Sequence, residues 1–451
     1  MTKPLTVAIV GAGPSGIYAA DALTSQQAVP VRVDIFDRLP VPFGLVRYGV
    51  APDHVSIRSV RDKLSEVFER PEVAFKGNVD IDSAASLERL REAYDAVILT
   101  YGASADRGLG VPGEELGGSI PATQFVAWYC GHPDVPPDAF NELLAHATSV
   151  VVVGVGNVAI DVTRILAKTP AELAETDIPT HVLDALAASR VTDITVLGRR
   201  GPAFAAFTTK ELRELGDLVD ADVLVDAADF ELDARSLAEL ADNKTAARNI
   251  EVMRSWLERT PTEKTRTIRL QFWSRPVAIE GADHMTNVLV ERTYLDADGN
   301  LRGTGESVSL PAQAIVRSVG YRGVGIDGVP FDDGSGTIPN VEGRVVDGDD
   351  PVPGLYVAGW IKRGPTGIIG TNKKDAAATV AALLDDAETG RLPVGKPGDL
   401  VFPAMVSYEG WRAIDAAERA LGAGSGRDRT TIHDRVDLLT LATGERSQAS
   451  T

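Results

Sequence analysis

The chain has 451 residues, a length that predicts two or three domains rather than a single hydrophobic core. Hydrophobic residues make up 44% and charged residues 24%, as in soluble globular proteins, and no apolar run is long enough to span a membrane. The net charge of −19 argues against nucleic acid as a ligand, because nucleic acids bind to basic surfaces.

Cys130 is the only cysteine, which excludes an internal disulfide, a Cys-x-x-Cys redox pair and an iron–sulfur cluster bound by this chain's own cysteines. Its apolar and aromatic neighbours, FVAWYCG, favour packing over a nucleophilic role. The first residues lead directly into a predicted strand, without the apolar segment of a secretory signal. We therefore expect a cytoplasmic protein, and no metal site is predicted.

The N-terminal sequence VAIVGAGPSG predicts a dinucleotide site. Residues 7–10 form an apolar strand, and three glycines follow at G-x-G-x-x-G spacing, which allows a tight turn, a close pyrophosphate and close helix–strand packing. The predicted helix over 14–23 presents its N-terminus to a phosphate. A second strand over 31–36 ends in Asp37, the acid expected to bind a ribose hydroxyl. The alternative is a structural turn that binds nothing.

The residues that follow are expected to extend the same region. Residues 38–54 are rich in proline and glycine and predict a long loop that wraps the cofactor. A surface helix is predicted over 56–70, and strands of the same sheet over 73–80 and 96–100. Residues 101–113 include five glycines or prolines and are predicted to cross between domains.

The strand–glycine–helix pattern recurs in the middle of the chain. Residues 150–153 are four valines, followed by GVGNVA, the G-x-G-x-x-A variant, and a helix over 158–167. After a predicted helical insertion over 168–190, a strand over 193–197 leads into Arg199 and Arg200 instead of an acid. Arginines suit a ribose 2′-phosphate, so the second site is predicted to prefer NADP(H) to NAD(H). The alternative is a solvated arginine pair at a strand end.

The rest of the middle region mixes helices and strands. A helix over 208–215 starts with a capping residue, so Glu211 can be interpreted as part of the cap alone. Residues 233–256 are predicted to be helical. Antiparallel strands are predicted over 267–273, 285–293 and 307–310, with a turn at 296–299 and a buried strand over 314–318.

The last predicted strand of this pattern, 355–358, opens into a glycine-rich segment, 359–370, and then a helix through residue 384. Glycine density beside a helix N-terminus suggests backbone amides directed at a ligand. Four basic residues nearby are either a docking site for an acidic electron carrier or a solvated helix face: Lys362, Arg363, Lys373 and Lys374. A further amphipathic helix is predicted near 409–421.

Two dinucleotide sites in one chain indicate a tightly held FAD in the first region and a diffusible NADPH in the second. The reaction is then hydride transfer between them, and the amides at 367–370 are candidates to stabilise the negative charge of reduced flavin. The single cysteine excludes a disulfide reductase. Electron transfer to an iron–sulfur or haem protein, an NADPH oxidase or monooxygenase reaction, and non-catalytic nucleotide binding stay open.

Several longer motifs resemble the adrenodoxin-reductase-type NADPH–ferredoxin reductases, particularly the mycobacterial members, up to about residue 375. They are LPVPFGLVRYGVAPDH (39–54), GNVAIDVTRIL (156–166), GRRGP (198–202), FTTKELREL (207–215), VRSVGYRG (316–323) and AGWIKRGPTGIIGTNKKDA (358–376). The resemblance implies an α/β fold with two Rossmann-like domains around central parallel sheets. An NADP-binding domain (109–320) would be inserted into a discontinuous FAD-binding domain (1–108 and 321–451).

The resemblance also implies which residues bind the cofactors. For FAD they are Gly11, Ala12, Gly13, Pro14, Ser15, Gly16, Asp37, Leu45, Val79, Trp360, Gly367, Ile368 and Ile369. For NADPH they are Arg107, Val155, Gly156, Asn157, Val158, Arg199, Arg200 and Glu211, with Gly367 also touching the nicotinamide side. His54 and Glu211 are implied to handle charge or protons near the nicotinamide. From the residues alone, His54 could equally cap a helix.

Two positions depart from the family pattern. Asp37 stands where close relatives carry glutamate, which predicts a looser or water-bridged ribose contact. Val155 replaces an asparagine, with little expected effect because only the backbone is needed there. The implied electron acceptor is a separate ferredoxin-like iron–sulfur protein, and nothing suggests an obligate oligomer. No function is transferred to the residues beyond 384.

Overall fold

The fold is described from a computed structural model that covers residues 3–367, 369–396, 400 and 402–444. The chain divides into two compact units. The first unit combines Met1–Ala105 with Tyr321–Thr451, and the second is Asp106–Gly320. In the part of the chain that the structure covers, no helix is long and apolar enough to cross a membrane.

In chain order, the strands are β1 (Leu5–Val10), β2 (Val31–Phe36), β3 (Val73–Lys76), β4 (Ala96–Leu99), β5 (Ala105–Asp106), β6 (Ser119–Pro121), β7 (Ser149–Val153), β8 (Asp193–Leu197), β9 (Ala221–Val225), β10 (Arg266–Gln271), β11 (Ser274–Gly281), β12 (Met285–Leu295), β13 (Leu301–Pro311), β14 (Ala314–Arg317), β15 (Tyr321–Arg322), β16 (Asn340–Val341), β17 (Arg344–Asp347) and β18 (Asp350–Val357).

The helices are α1 (Pro14–Ser25), α2 (Leu45–Tyr48), α3 (Val55–Arg58), α4 (Val60–Ser65), α5 (Ala84–Ala93), α6 (Ala122–Tyr129), α7 (Asn141–His146), α8 (Asn157–Ala167), α9 (Pro170–Leu173), α10 (Thr180–Ala187), α11 (Thr209–Gly216), α12 (Ala234–Asp242), α13 (Lys244–Arg254), α14 (Trp360–Arg363), α15 (Ile369–Glu388), α16 (Tyr408–Ala423) and α17 (Arg435–Thr443). Short 3₁₀ turns cover Glu66–Glu69, Pro202–Phe204 and Ala227–Phe230.

The sheet of the first unit has the strand order β16-β17-β18-β4-β1-β2-β3. The strands from β18 to β3 run parallel, and β16 and β17 add an antiparallel edge. Val7, Ala8 and Ile9 of β1 are fully buried, as expected for a central parallel strand covered on both faces. The carboxyl ends of β1 and β2 lie at one edge of the sheet, where ligands bind in doubly wound folds.

The sheet of the second unit has the strand order β6-β14-β7-β8-β10-β9, with every neighbouring pair parallel. Its core includes Val151, Leu197 and Ile315, which pack against residues of a separate antiparallel sheet, β11-β12-β13. Both units are therefore α/β folds built around parallel sheets, as the sequence predicts.

Two element predictions are wrong. Residues 267–273 were expected to pair antiparallel, but β10 lies between β8 and β9 and is parallel to both. Its buried residues alternate with more exposed ones, which is compatible with either parallel or antiparallel pairing. The pattern therefore could not determine the direction of this strand. The single surface helix expected over 56–70 is broken into α3, α4 and a 3₁₀ turn, and Arg58 inside it is buried.

Candidate functional sites

The first glycine loop joins β1 to α1, and each of its glycines has a different environment. Gly11 has φ 110°, and a Cβ there would lie 2.8 Å from the backbone of Thr100. At Gly16 a Cβ would lie 2.0 Å from the carbonyl oxygen of Gly11. At Gly13 the nearest atom would be the Cα of Gly44, at 3.9 Å. Gly11 and Gly16 are thus required by packing, whereas a Cβ at Gly13 would make only an ordinary van der Waals contact.

Asp37 follows β2 and is bonded to the glycine loop. Its Oδ2 accepts a hydrogen bond from the amide of Ala12 at 2.8 Å, and its Oδ1 accepts one from Leu39 at 2.9 Å. Burial raises the pKa of Asp37 to about 6, although both amides favour the ionised form. Each carboxylate oxygen keeps a lone pair for a further donor, such as a ribose hydroxyl.

The loop after Asp37 turns back onto the glycine loop. The amide of Phe43, which has φ 83°, donates to the carbonyl of Ala12 at 2.8 Å. Gly44 is the N-cap of the single turn of α2, in which Leu45 is 38% exposed. Val79 is buried in the core of the unit, and its amide donates to the carbonyl of Asp37 at 2.8 Å. The side chain of Leu45 is therefore accessible to a ligand, and that of Val79 is not.

The glycine-rich segment after β18 packs against the first glycine loop. Gly359 has φ 82°, and a Cβ there would lie 2.2 Å from the Oγ of Ser15. That hydroxyl donates to the Oδ1 of Asn372 in α15 at 3.1 Å. Pro14 is the first residue of α1, at the same end of the helix. Segments more than 300 residues apart in sequence thus form one surface of the first unit.

Trp360 offers an unsatisfied donor on this surface. Its Nε1 is buried and has no hydrogen-bond partner among the described residues, and its ring lies 5.7 Å from that of Tyr321. Gly367 is exposed with φ 81°, and Ile369 begins α15. Ile368 lies outside the described residues. A buried indole N–H without an acceptor is costly, which fits a site that a polar cofactor completes.

The four basic residues near this segment differ in their environments. Lys362 pairs with Asp375 at 2.9 Å, and Arg363 lies 3.8 Å from the same carboxylate. Arg363 also donates to Asn372 at 2.7 Å. Lys373 and Lys374 are exposed. The last two are therefore the ones displayed to solvent, although Lys373 also lies 3.9 Å from the carboxylate of Asp21.

In the second unit, the glycine loop joins β7 to α8. Gly154 has φ 129°, and a Cβ there would lie 2.2 Å from the carbonyl oxygen of Ser318. Gly156 is the N-cap of α8 with an extended backbone, φ −103°, and a Cβ there would meet no atom within 4 Å in the part of the chain that the structure describes. The open space beside Gly156 faces the first amides of α8, which have no partner within the helix. This arrangement fits a phosphate group.

The residues around this loop are held by one backbone and one side-chain hydrogen bond. The carbonyl of Val155 accepts from the amide of Ala206 at 2.8 Å, and the Oδ1 of Asn157 accepts from the amide of Thr208 at 2.9 Å. Val158, in the first turn of α8, is half-buried. The side chain of Asn157 therefore fixes the start of α11 against α8.

Arg199 and Arg200 follow β8 and are both exposed. Neither guanidinium forms an ion pair with a carboxylate of the described chain, although the protein is acidic; Arg200 lies 5.8 Å from the Phe204 ring. Arg107 is also exposed, and its amide donates to Gly320 at 3.0 Å. The arginine pair is thus available for an anionic ligand.

Glu211 is more than a capping residue. Its amide donates to the hydroxyl of Thr208, the N-cap of α11, at 3.3 Å. Its Oε2 accepts from Arg164 at 3.0 Å, and Arg164 also donates to Asp161 at 2.8 Å. The side chain of Arg164 is 1% exposed and that of Glu211 is 7% exposed. Sequence reasoning missed Arg164, although an arginine within the apolar helix pattern IDVTRILA was a usable signal.

His54 is buried and occupies the N-cap position of α3, but its side chain makes no capping hydrogen bond. The capping alternative therefore does not account for this histidine.

The region beyond residue 384 contacts the loop that follows Asp37. Arg47 of that loop donates to both carboxylate oxygens of Glu418 in α16, at 3.0 and 2.5 Å. Its guanidinium also lies 5.4 Å from the ring of Trp411, which packs on Phe43. Sequence reasoning gave this region no role, because nothing local identifies Glu418 as the partner of Arg47.

Comparison with known proteins gives consistent results. A family model described as FAD-NAD(P)-binding matches residues 8–140. NADPH-ferredoxin reductase FprA of Mycobacterium tuberculosis is 43% identical, with 98% of this chain and 100% of the relative covered. The mitochondrial NADPH:adrenodoxin oxidoreductase of Arabidopsis thaliana is 38% identical, with 98% and 96% covered. The structure of Mycobacterium tuberculosis FprA in complex with NADPH superposes with a TM-score of 0.90 at 41% identity, covering 98% of this chain and 100% of that one.

Proposed function

The chain belongs to the NADPH–ferredoxin reductase family, and from this premise we propose that it oxidises NADPH and reduces a ferredoxin-like iron–sulfur protein. FAD, when bound, supplies the step between a two-electron hydride donor and a one-electron acceptor. The observation that carries the proposal is the second glycine loop, with two exposed arginines beyond the next strand; among the described residues, nothing fills the space at Gly156 and no carboxylate pairs with either arginine. A 2′-phosphate is the group that such arginines recognise.

FAD binds to the first unit. In our proposal its pyrophosphate lies at the N-terminus of α1 beside Gly13, its ribose on Asp37, and other parts on Leu45, the backbone of Val79 and the segment from Trp360 to Ile369. Two observations support this assignment: the amide of Ala12 bonded to the carboxylate of Asp37, and the indole N–H of Trp360, which has no hydrogen-bond partner among the described residues.

NADPH binds to the second unit. We propose that its pyrophosphate lies on the backbone from Val155 to Val158, with the 2′-phosphate on Arg199 and Arg200, and that Arg107 contributes a further positive charge. Glu211 and His54 are proposed to control charge near the nicotinamide. Arg164 supports this role for Glu211, because its buried guanidinium pairs with the carboxylate at 3.0 Å and fixes its orientation.

The acceptor's cluster lies outside the residues of this sequence, whose one cysteine cannot bind it. Lys373 and Lys374 are the exposed positive residues that we propose to attract an acidic carrier. We also propose a cytoplasmic location, which the lack of a second cysteine for disulfide formation favours.

The test combines flavin detection with coupled kinetics. We expect the purified protein to contain or rebind FAD, and cytochrome c reduction by NADPH to rise when a ferredoxin is added. Replacing Arg199 and Arg200 by alanine should raise KM for NADPH by about 10- to 100-fold, because the lost phosphate contacts are worth about 1 to 3 kcal/mol. KM for NADH should change little. Arg269→Ala, at an exposed arginine of β10, is the control and should change neither value.

Three results would count against the proposal. A protein that never binds flavin would refute it entirely. NADPH oxidation that is insensitive to every ferredoxin and proceeds only with oxygen would indicate an oxidase. Equal loss for NADPH and NADH in the arginine variant would remove these residues from the 2′-phosphate.

A further inference from the structure

The turn that carries Arg199 and Arg200 is fixed from the antiparallel sheet of the second unit. The amide of Ser274, the first residue of β11, donates to the carbonyl of Gly198 at 2.9 Å. The amide of Trp273, immediately before it, donates to the carbonyl of Arg200 at 3.2 Å. The carbonyl groups of Gly198 and Arg200, at the two ends of this arginine turn, are therefore both hydrogen-bonded to the junction between β10 and β11.

The carbonyl of Arg199, between those of Gly198 and Arg200, accepts a hydrogen bond from a side chain. The hydroxyl of Thr293 in β12 donates to the carbonyl of Arg199 at 2.8 Å, and the amide of Thr293 donates to the carbonyl of Trp273 at 2.8 Å. Thr293 is 5% exposed, so water competes little for these bonds. Three successive carbonyl groups are thus fixed, which leaves the arginine turn little freedom to change conformation.

Trp273 itself has an unfavourable backbone. Its φ is 50°, in the left-handed region that a bulky side chain rarely occupies, and it is 8% exposed. A Cβ placed on Gly201 would lie 2.3 Å from the Cζ2 of Trp273, so the indole packs directly on that glycine. Such strain persists only where the surroundings impose it, and it concentrates at functional sites.

The indole also supports the side chain of Arg200. The rings of Trp273 and Phe204 contact edge to face with centroids 6.5 Å apart, and the guanidinium of Arg200 lies 5.8 Å from the Phe204 ring. An arginine held on an aromatic face loses less freedom on binding than one free in solvent, and therefore binds an anion more tightly.

We infer that Trp273 and Thr293 are positioning residues that set the preference of this protein for NADPH over NADH. They act through Arg199 and Arg200 by fixing the backbone of the turn and, for Trp273, the aromatic support of one guanidinium. This inference rests on the proposed function, because it presupposes that the arginines bind the 2′-phosphate. NADH lacks that phosphate, so its binding should not depend on either residue.

The experiment measures binding of NADP⁺ and NAD⁺ to the full flavin-loaded protein by calorimetry, together with KM for NADPH and NADH. Thr293→Val deletes the hydroxyl at nearly constant volume and should weaken NADP⁺ binding about fivefold, with NAD⁺ unchanged. Trp273→Leu should weaken NADP⁺ binding about tenfold, since it removes the indole from both Gly201 and Phe204. kcat at saturating NADPH should stay within about twofold of the parent.

Matched controls test general destabilisation of the same unit. Thr176 is also buried, and its hydroxyl donates to the carbonyl of Leu173 at 2.7 Å. Trp128 is 1% exposed in the aromatic cluster around α6. Thr176→Val and Trp128→Leu should lower thermal stability and leave the ratio of NADP⁺ to NAD⁺ affinity unchanged.

The outcomes separate this inference from the function on which it rests. If Arg199→Ala/Arg200→Ala abolishes the NADP⁺ preference while Thr293→Val and Trp273→Leu leave it intact, the positioning role is refuted. If the arginine variant itself keeps the preference, the assignment of the 2′-phosphate site fails instead. Should Trp273→Leu not fold, the Thr293→Val result alone decides, because an isosteric change removes one hydrogen bond only.

Discussion

The ion pair between Arg47 and Glu418 gives a prediction for the C-terminal region. Replacing Glu418 by glutamine retains the side-chain volume but leaves Arg47 without its counter-charge. The side chain of Arg47 is 3% exposed and that of Glu418 is 0% exposed. Glu418 also accepts from the amide of Ile432 at 2.9 Å and from Arg429 at 3.4 Å. The substitution therefore disturbs a fully buried network rather than a surface contact.

The expected cost follows from burial. Removing one partner of a buried ion pair costs about 3 to 5 kcal/mol, because the remaining charge is left uncompensated. Domains are stable by about 5 to 15 kcal/mol, so the loss is a large share of the stability of the first unit. For domains of this size, each kcal/mol of lost stability lowers the midpoint of thermal unfolding by about 2 to 4 °C, so the midpoint should fall by about 6 to 20 °C.

FAD binding should weaken together with stability. Arg47 belongs to α2, whose N-cap Gly44 lies beside Gly13, so release of the loop disturbs the space proposed for the pyrophosphate. The assay is thermal and urea unfolding of the apoprotein, with the dissociation constant of FAD measured by flavin fluorescence at a temperature where the variant is folded. We expect a dissociation constant raised about tenfold or more.

Asp386→Asn is the matched control. Asp386 accepts from Arg344 at 2.8 Å in the same unit, with side-chain exposures of 8% and 16%. This variant should lower stability while the folded protein keeps its affinity for FAD. The reasoning is refuted if Glu418→Gln costs less than about 1 kcal/mol, the value of a surface ion pair, or if FAD affinity stays at the parent value.

Three further predictions concern the cofactor sites. Gly156→Ala should leave the stability of the apoprotein unchanged and weaken NADP⁺ binding, because its Cβ meets no atom of the described residues within 4 Å but enters the space proposed for the phosphate. Gly154→Ala should destabilise the protein, given φ 129° and a carbonyl oxygen at 2.2 Å. Calorimetry and thermal unfolding separate the two, and equal behaviour would contradict the assignment. Burial raises the pKa of Asp37 to about 6, so the folded apoprotein holds the carboxyl proton more tightly than the unfolded chain does. The stability that this proton contributes should therefore decline between about pH 4 and pH 6. FAD affinity should instead increase as the pH rises through about 6 and the carboxylate becomes a full acceptor, and Asp37→Asn should flatten that pH profile. Trp360→Phe should speed FAD dissociation in stopped-flow measurements by removing the one donor of the buried indole, and an unchanged rate would show that the cofactor does not use it.

The sequence alone determined the two glycine loops and the elements around them. The apolar runs of β1 and β7, the glycine spacing and the following helices are local patterns, because backbone geometry requires glycine at positive φ and burial on both faces requires continuous apolar strands. Asp37 and the arginine pair after β8 could be located for the same reason, since each lies at a fixed place after a strand. The parallel sheets and both candidate dinucleotide sites followed from such signals.

Only the tertiary structure decided which distant residues meet. Arg164 and Glu211 are 47 positions apart, and Arg47 and Glu418 are 371 apart, so no local periodicity relates them. The direction of β10 was undetermined because alternation reports which face is buried and not which strand is adjacent. Trp273 shows the same limit most clearly. Its proposed role depends on a turn that lies more than 70 positions earlier in the sequence, and its packing and backbone strain arise only after the chain has folded.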